Sequence, residues 1–241
     1  VGQRSRDDDG RAILELDGTE EYEASVILKR LKRAGDTGWW QRFDKRLMPE
    51  WFDRLVGLQE AALAIRTFEI QYVPGLLQTP AYTRAVVERG LPAAPAREVE
   101  RRVELRTRRR ELLQRTDPPQ LWAIVDESVL LRVLGSREVM REQLEHLIAM
   151  AQEPHVTLQI VPLDATNASA PAIPVTYLRF GGLELPDVVY LEHIRSATFL
   201  EDRDETEEYR VVLDRLADEA LDPRESLTLL RETAERRYGA G

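Results

Sequence analysis

The stretch WFDRLVGLQEAALAIRTFEIQYVPGLLQTPAYTRAVVERG, residues 51–90, decides how the rest of the chain is read. In its first half Phe52, Leu55, Val56, Leu58, Ala62, Leu63 and Ile65 recur at three- and four-residue steps. That spacing predicts a helix with one buried face, running as far as Ile65-Arg66. Val73-Pro74-Gly75-Leu76-Leu77-Gln78-Thr79 then breaks the pattern. Gly75 behind Pro74 fits a turn whose glycine takes a positive φ. Thr79 before Pro80 reads as a helix cap followed by a first-turn proline, and Tyr82, Ala85 and Val86 begin a second helix.

Working outward, Leu91-Pro92-Ala93-Ala94-Pro95-Ala96 is a linker. A helix over about residues 97–115 follows, and Asp117-Pro118-Pro119 ends it. Leu121–Val125 reads as a buried strand, Ser128–Leu134 as a helix stopped by Gly135, and Ser136 onward as another helix closed by Pro154. Residues 156–162 form a second strand; helix then strand, twice over, is the pattern of βαβ units. Val175–Phe180 and Val188–Glu192 read as two further strands around Gly181-Gly182, with a fifth short one conceivable at Ser196–Phe199. The acidic run from Glu201 to Glu208 leads into a helix packed by Tyr209, Val212, Leu213 and Leu216, and Asp222-Pro223 starts the last helix. The expected fold is mixed α/β, a sheet of about four strands with packed helices. Residues 1–10 read as a disordered tail and residues 11–37 as a small helical segment, leaving 38–238 as the main domain.

The chain has 241 residues and a net charge of −9, from 34 basic and 43 acidic side chains. A free-standing nucleic-acid reader is usually basic, because neutralising phosphates supplies much of its affinity, so this chain taken whole is not expected to read DNA. With no cysteine, disulfides, thiolate metal sites and cysteine nucleophiles are excluded. No apolar run reaches a membrane span and the first residues do not form a signal peptide, so a cytoplasmic location is expected.

Several groups are candidates for chemistry. Trp39 and Trp40, with Phe43, form an aromatic cluster that is either a staple on the core or a pocket wall. Gln78 is polar in an apolar setting and reaches either a backbone group or a ligand. Arg101, Arg102, Arg106, Arg109 and Arg110 lie on the 97–115 helix, where they form either a solvated face laced with pairs such as Glu98–Arg102, or a patch for an anion or an acidic partner. Asp126 and Glu127 stand at a strand's carboxyl end, a common place for ligand contacts, although Asp126 also suits a helix cap. Glu192 beside His193 suggests acid–base work. His146 falls on a charged helix side and is expected to be exposed. Three histidines without HExxH spacing do not make a metal site, and no cofactor motif or nucleophile elbow is present.

The order of these motifs resembles the C-terminal domain, of unknown function, of actinobacterial XRE-family helix-turn-helix regulators of the antitoxin-like kind. The resemblance rests on Gly38-Trp39-Trp40, Trp51, Ile65-Arg66, the 73–79 core, the arginine-rich helix, Val125-Asp126-Glu127, Leu131-Arg132, Gln143-Leu144, Val161-Pro162 and Val189-Tyr190 with Glu192. It adds Arg66 to the candidate binding residues. It makes residues 11–37 the remnant and connector of a helix-turn-helix whose DNA-reading helices are absent here, so that the chain is a fragment or a variant lacking that half. It implies a regulatory domain that binds a small companion protein or a small-molecule signal, touches DNA only through an upstream helix-turn-helix, and can form a homodimer. Gln59 stands where the family usually has a glutamate, and the loop from Asp164 to Pro174 lacks the family's glycines and histidine. The alternative is a relative recruited as an enzyme in specialised metabolism.

Overall fold

The computed structural model describes residues 38–44, 47–165, 170–181 and 186–239. The expected tail at 1–10 and the helical segment at 11–37 lie outside the described residues, as do parts of the 164–174 loop and of the turn after Gly181.

A 3-10 turn at Trp39–Arg42 leads to α1 (Glu50–Ala61), β1 (Ala64–Glu69), a second 3-10 turn (Gly75–Leu77), α2 (Pro80–Gly90) and α3 (Ala96–Arg109), which runs on as 3-10 through Gln114. Then come β2 (Gln120–Asp126), the one-turn α4 (Ser128–Leu131), α5 (Arg137–Met150), β3 (Val156–Val161), β4 (Val175–Arg179), β5 (Val188–Glu192) and β6 (Ala197–Leu200), before α6 (Arg203–Glu219) and α7 (Pro223–Tyr238).

The main departure from the sequence reading falls in the opening stretch. The first helix stops at Ala61, and the Ile65-Arg66 pair expected at its end lies instead in strand β1. A short segment such as Ala64–Glu69, with apolar residues interrupted by Arg66, Thr67 and Glu69, does not by itself distinguish a helix end from a strand. What decides is the alternation: Ile65 and Thr67 face one side, Arg66 and Phe68 the other. With β1 added and the short β6 formed, the sheet has six strands rather than about four, in the order β3-β2-β1-β4-β5-β6. β1 pairs parallel with β2 and antiparallel with β4, so it is the seam between a parallel half and an antiparallel half.

The larger core fills one sheet face, where α1, α2, α5 and α7 bring Phe52, Val56, Tyr82, Leu144 and Leu230 against Ile65, Leu121, Leu158 and Tyr190. On the other face α6 lays Leu213, Leu216 and Ala217 over Phe68, Ile124, Tyr177 and Val189. Caps follow the sequence signals. Thr79 accepts from Tyr82 N–H at the start of α2, Asp202 accepts from Asp204 and Glu205 N–H at α6, and Asp222 with Glu225 forms a capping box on α7. The acidic run thus becomes the first turns of α6, where negative charge suits the helix dipole.

The loop after β1 is anchored from the opposite side of the core. Gln143 of α5 is fully buried; its Oε1 accepts from Thr79 N–H at 2.7 Å and its Nε2 donates to the Leu77 carbonyl at 2.8 Å. Gln143→Leu leaves both backbone groups buried without partners, which costs about 2–4 kcal/mol. The expected result is a lower urea midpoint with an unchanged slope; an unchanged midpoint would show that the loop is not held this way.

Candidate ligand-binding site

Two side chains from α2 and the loop itself fix the conformation of residues 73–78. Val73 N–H donates to the Tyr82 hydroxyl at 3.2 Å. Gln78 Nε2 donates to the Val73 carbonyl at 2.7 Å, and its Oε1 accepts from the Thr83 hydroxyl at 3.2 Å. Burial pushes the Tyr82 hydroxyl up to about 12, so it stays neutral. Gln78 therefore meets its needs within the protein, as the loop's own brace.

Between this loop, α1 and α3 on one side and the inner face of β1, β4 and β5 on the other lies a cavity of about 1090 Å³. That is room for a drug-sized organic molecule. One part of its wall is apolar, from Phe52, Leu55, Ile65, Leu76, Val86 and Leu105; another carries Glu69, Arg102, Arg106, Arg109, Tyr190 and Glu192. Its rim includes the β5–β6 turn, residues 193–196, where Ile194 is fully exposed.

Helix geometry sorts the arginine-rich segment. Arg102, Arg106 and Arg109, spaced four and three apart, share the face that lines the cavity. Arg101 points to solvent. Arg110 reaches His146 at 3.1 Å, and Arg108 stacks over Trp39 at 5.0 Å. His146 is half-buried rather than exposed, and burial, with Arg110 beside it, pushes its ring down to about 4.

Within the cavity the charges are poorly matched. Arg102 is held by Glu98 at 2.8 Å. Among the described residues no ion pair joins Arg106 or Arg109 to Glu69 or Glu192. Arg109 is 9% exposed and its Nε is buried without a hydrogen-bond partner; so is Oε1 of Gln59, on the same cavity wall. Buried polar atoms are mostly satisfied; other unpartnered ones lie away from the cavity, at Arg66, Thr107 and His155, and the two on this wall leave it with unused hydrogen-bonding capacity. Burial lowers Arg109 to about 10, with Arg106 adding to the effect, and lowers Arg106 too, against the pull of Glu192. Glu69 looks into the cavity from the end of β1. Enclosure, and then Glu192, pushes it up to about 8, with Arg109 opposing. Tyr190 donates to Glu192 at 2.9 Å; burial and then that carboxylate raise its hydroxyl well above the usual range.

Gly75 has a different role from the one its sequence suggests. Among the described residues the positive-φ glycine is Gly135, with φ of 73°. Gly75 is instead marked by contact: a Cβ there would push the Arg109 guanidinium aside.

The remaining sequence candidates fall elsewhere. Trp40 is buried in the core beneath Gly38 and Gly57, and Trp39 packs edge-on against Trp40 and Phe43 while donating to Glu60 at 2.9 Å. The pair is a staple on α1, outside the cavity. Arg66 points to the opposite sheet face, bonded to Asp214 at 2.6 Å and stacked 4.5 Å over Trp122. Asp126 accepts from Ser128 N–H at 2.9 Å, a bond two residues on that steadies the entry to α4 from just before its N-cap, Glu127, and Glu127 accepts from Leu163 N–H at 2.9 Å. Neither lines the cavity. Glu192 and His193 do, at its rim, where the imidazole contacts Thr198 at 3.1 Å. Glu69 and Tyr190 were not anticipated as site residues, and Gln59 stood out only as a departure from the family pattern; the signal for Glu69 was the strand period of residues 64–69. Among the described residues no group of three or more His, Cys, Asp or Glu side chains could hold a metal, and no helix is long and apolar enough to cross a membrane.

Fold and site together define a mixed α/β domain with a charge-lined cavity on one face of its sheet. The chain belongs to the family described as a domain of unknown function, DUF5753, whose model matches residues 52–232. No curated protein and no solved structure matches it.

An arginine kept for a ligand rather than for the fold destabilises the empty protein. Arg109→Met is therefore expected to be neutral or stabilising by up to about 2 kcal/mol, since apolar replacements of buried charges commonly are. Urea denaturation measures it; a loss above about 1 kcal/mol would make Arg109 a structural residue.

Proposed function

We propose that this chain is the sensing domain of a transcriptional regulator of the XRE, antitoxin-like kind, and that its signal is a small molecule taken into the cavity. The observation that carries this is the cavity of about 1090 Å³ with orphaned polar atoms on its wall. Two further points support it. A net charge of −9 disfavours phosphate-backbone binding by the chain itself, so DNA contact falls to an upstream helix-turn-helix. The motifs of residues 73–79 and 101–110, through which the chain resembles that regulator class, are also those that build the cavity wall. In this reading a companion protein acts on the same domain, and cavity occupancy sets how tightly it is held.

The test is native mass spectrometry of protein purified from the cells that make it, compared with the denatured chain. Wild type is expected to release a small molecule that Thr176→Phe, which fills the cavity from β4, does not carry. If neither retains one, and metabolite extracts shift the melting of both equally, sensing through this cavity is wrong.

Catalysis is the second reading, and one observation favours it. A carboxyl pushed up to about 8 inside a cavity is suited to moving protons near neutral pH. It requires that candidate substrates turn over and that Glu69→Gln abolish the turnover; binding without turnover leaves Glu69 as a wall residue.

A further inference from the structure

The charge pattern of the cavity narrows the ligand, given that the cavity is a binding site as proposed above. Three arginines of α3 line it, of which Arg102 has Glu98 as its partner. Arg106 and Arg109 remain, facing two carboxylates with which they form no ion pair. Glu192 lies at the rim, exposed, and accepts from Tyr190. Glu69 is deeper and is mostly protonated near neutral pH, because enclosure pushes it up to about 8. The interior is thus left with an excess of positive charge, and the Arg109 guanidinium carries a buried donor, Nε, that no group among the described residues accepts from.

We infer that the ligand is an amphipathic organic oxyanion, its carboxylate or phosphate head seated on Arg106 and Arg109 and its apolar body lying against Phe52, Leu55, Leu76 and Leu105. Guanidinium groups match oxyanions in geometry, offering paired N–H donors to paired oxygens. Gly75 belongs to this arrangement, since the missing Cβ lets the loop lie directly against the Arg109 head and hold it in place. The apolar wall does what inorganic phosphate cannot use: it rewards a hydrocarbon body with burial. The protonated Glu69 adds a hydrogen-bond donor that suits an anion and would repel it if ionised.

Calorimetric titration of the whole chain with 4-phenylbutyrate, 4-phenylbutyl phosphate, 4-phenylbutanol and inorganic phosphate tests this. At least one of the two organic anions is expected to bind ten-fold or more tightly than the alcohol and than inorganic phosphate. Which of the two leads separates a carboxylate head from a phosphate head. Arg109→Met is expected to remove the preference over the alcohol, while Arg101→Met, on the solvent side of the same helix, retains it. Gly75→Ala, which moves the guanidinium without deleting it, is expected to weaken the anion at least three-fold and leave the alcohol unchanged. Equal binding of alcohol and anions overturns the inference while leaving a sensing cavity in place. Binding of inorganic phosphate as tight as that of the organic anions removes the amphipathic part and overturns it as well. Absence of binding by all four overturns it, and the mass-spectrometric test of retained ligand then decides separately whether the cavity senses anything. A preference that survives both Arg106→Met and Arg109→Met places the anion elsewhere and is equally fatal.

Discussion

Strand β1 is hydrogen-bonded on both sides, to a parallel neighbour and to an antiparallel one, and the rest of the structure depends on that double pairing. Six residues alternate between two very different environments. Arg66 and Phe68 meet α6, while Ile65, Thr67 and Glu69 face the cavity. A slip of one residue would exchange the two sets and drive Arg66 into the larger core. The chain leaving β1 is then tied down by Tyr82, Gln78 and Gln143, so the 73–78 loop has one conformation. That conformation brings Gly75 against Arg109, and the charged wall follows.

Much of this was legible in the sequence. The Thr79-Pro80 start of α2, the strand at Gln120–Asp126, the capped α5 and the Asp222-Pro223 start of α7 all carry local signals strong enough to stand without tertiary help. Strand β1 was not legible, because Leu63-Ala64-Ile65-Arg66 continues the three- and four-residue spacing of α1. Its own alternation sets Ile65, Thr67 and Glu69 against Ala64, Arg66 and Phe68, so each face carries polar groups and the pattern is weak. Its assignment depends on β2 and β4 being there to pair with it, which local sequence does not reveal.

The site was legible in fragments for the same reason. Arginines at 102, 106 and 109 show a helical stripe, yet Arg101, Arg108 and Arg110 surround it in sequence and dilute it. Only the packing of α3 against the cavity tells the inward face from the outward one. Gln78 drew notice as a polar residue in an apolar setting and Asp126 for its place at a strand's carboxyl end, and both prove to satisfy nearby backbone groups. Glu69 belongs to no motif, and its character comes from its surroundings in the fold, first enclosure and then the Glu192 carboxylate. Polar groups that the protein itself satisfies serve the fold. Unpartnered buried atoms occur at several places, Arg66, Thr107 and His155 among them, and what sets Arg109 Nε and Gln59 Oε1 apart is that both belong to residues lining the cavity.

Because enclosure, with Glu192 beside it, makes Glu69 unusual, its titration is the most direct measure of the whole account. Carbon-13 NMR of the Glu69 side-chain carboxyl, assigned by comparison with Glu69→Gln, follows its protonation across the neutral range. The account predicts a midpoint near 8, far above the carboxylate value of 4.5, because the group sits at the end of a central strand inside a cavity, near Glu192 and with no ion-pair partner among the described residues. A midpoint near 4.5 would contradict it. The carboxyl would then be either solvated, as it would be if residues 64–69 were the end of a surface helix, or paired with Arg109, and in neither case would the cavity keep an unmatched positive charge for a ligand.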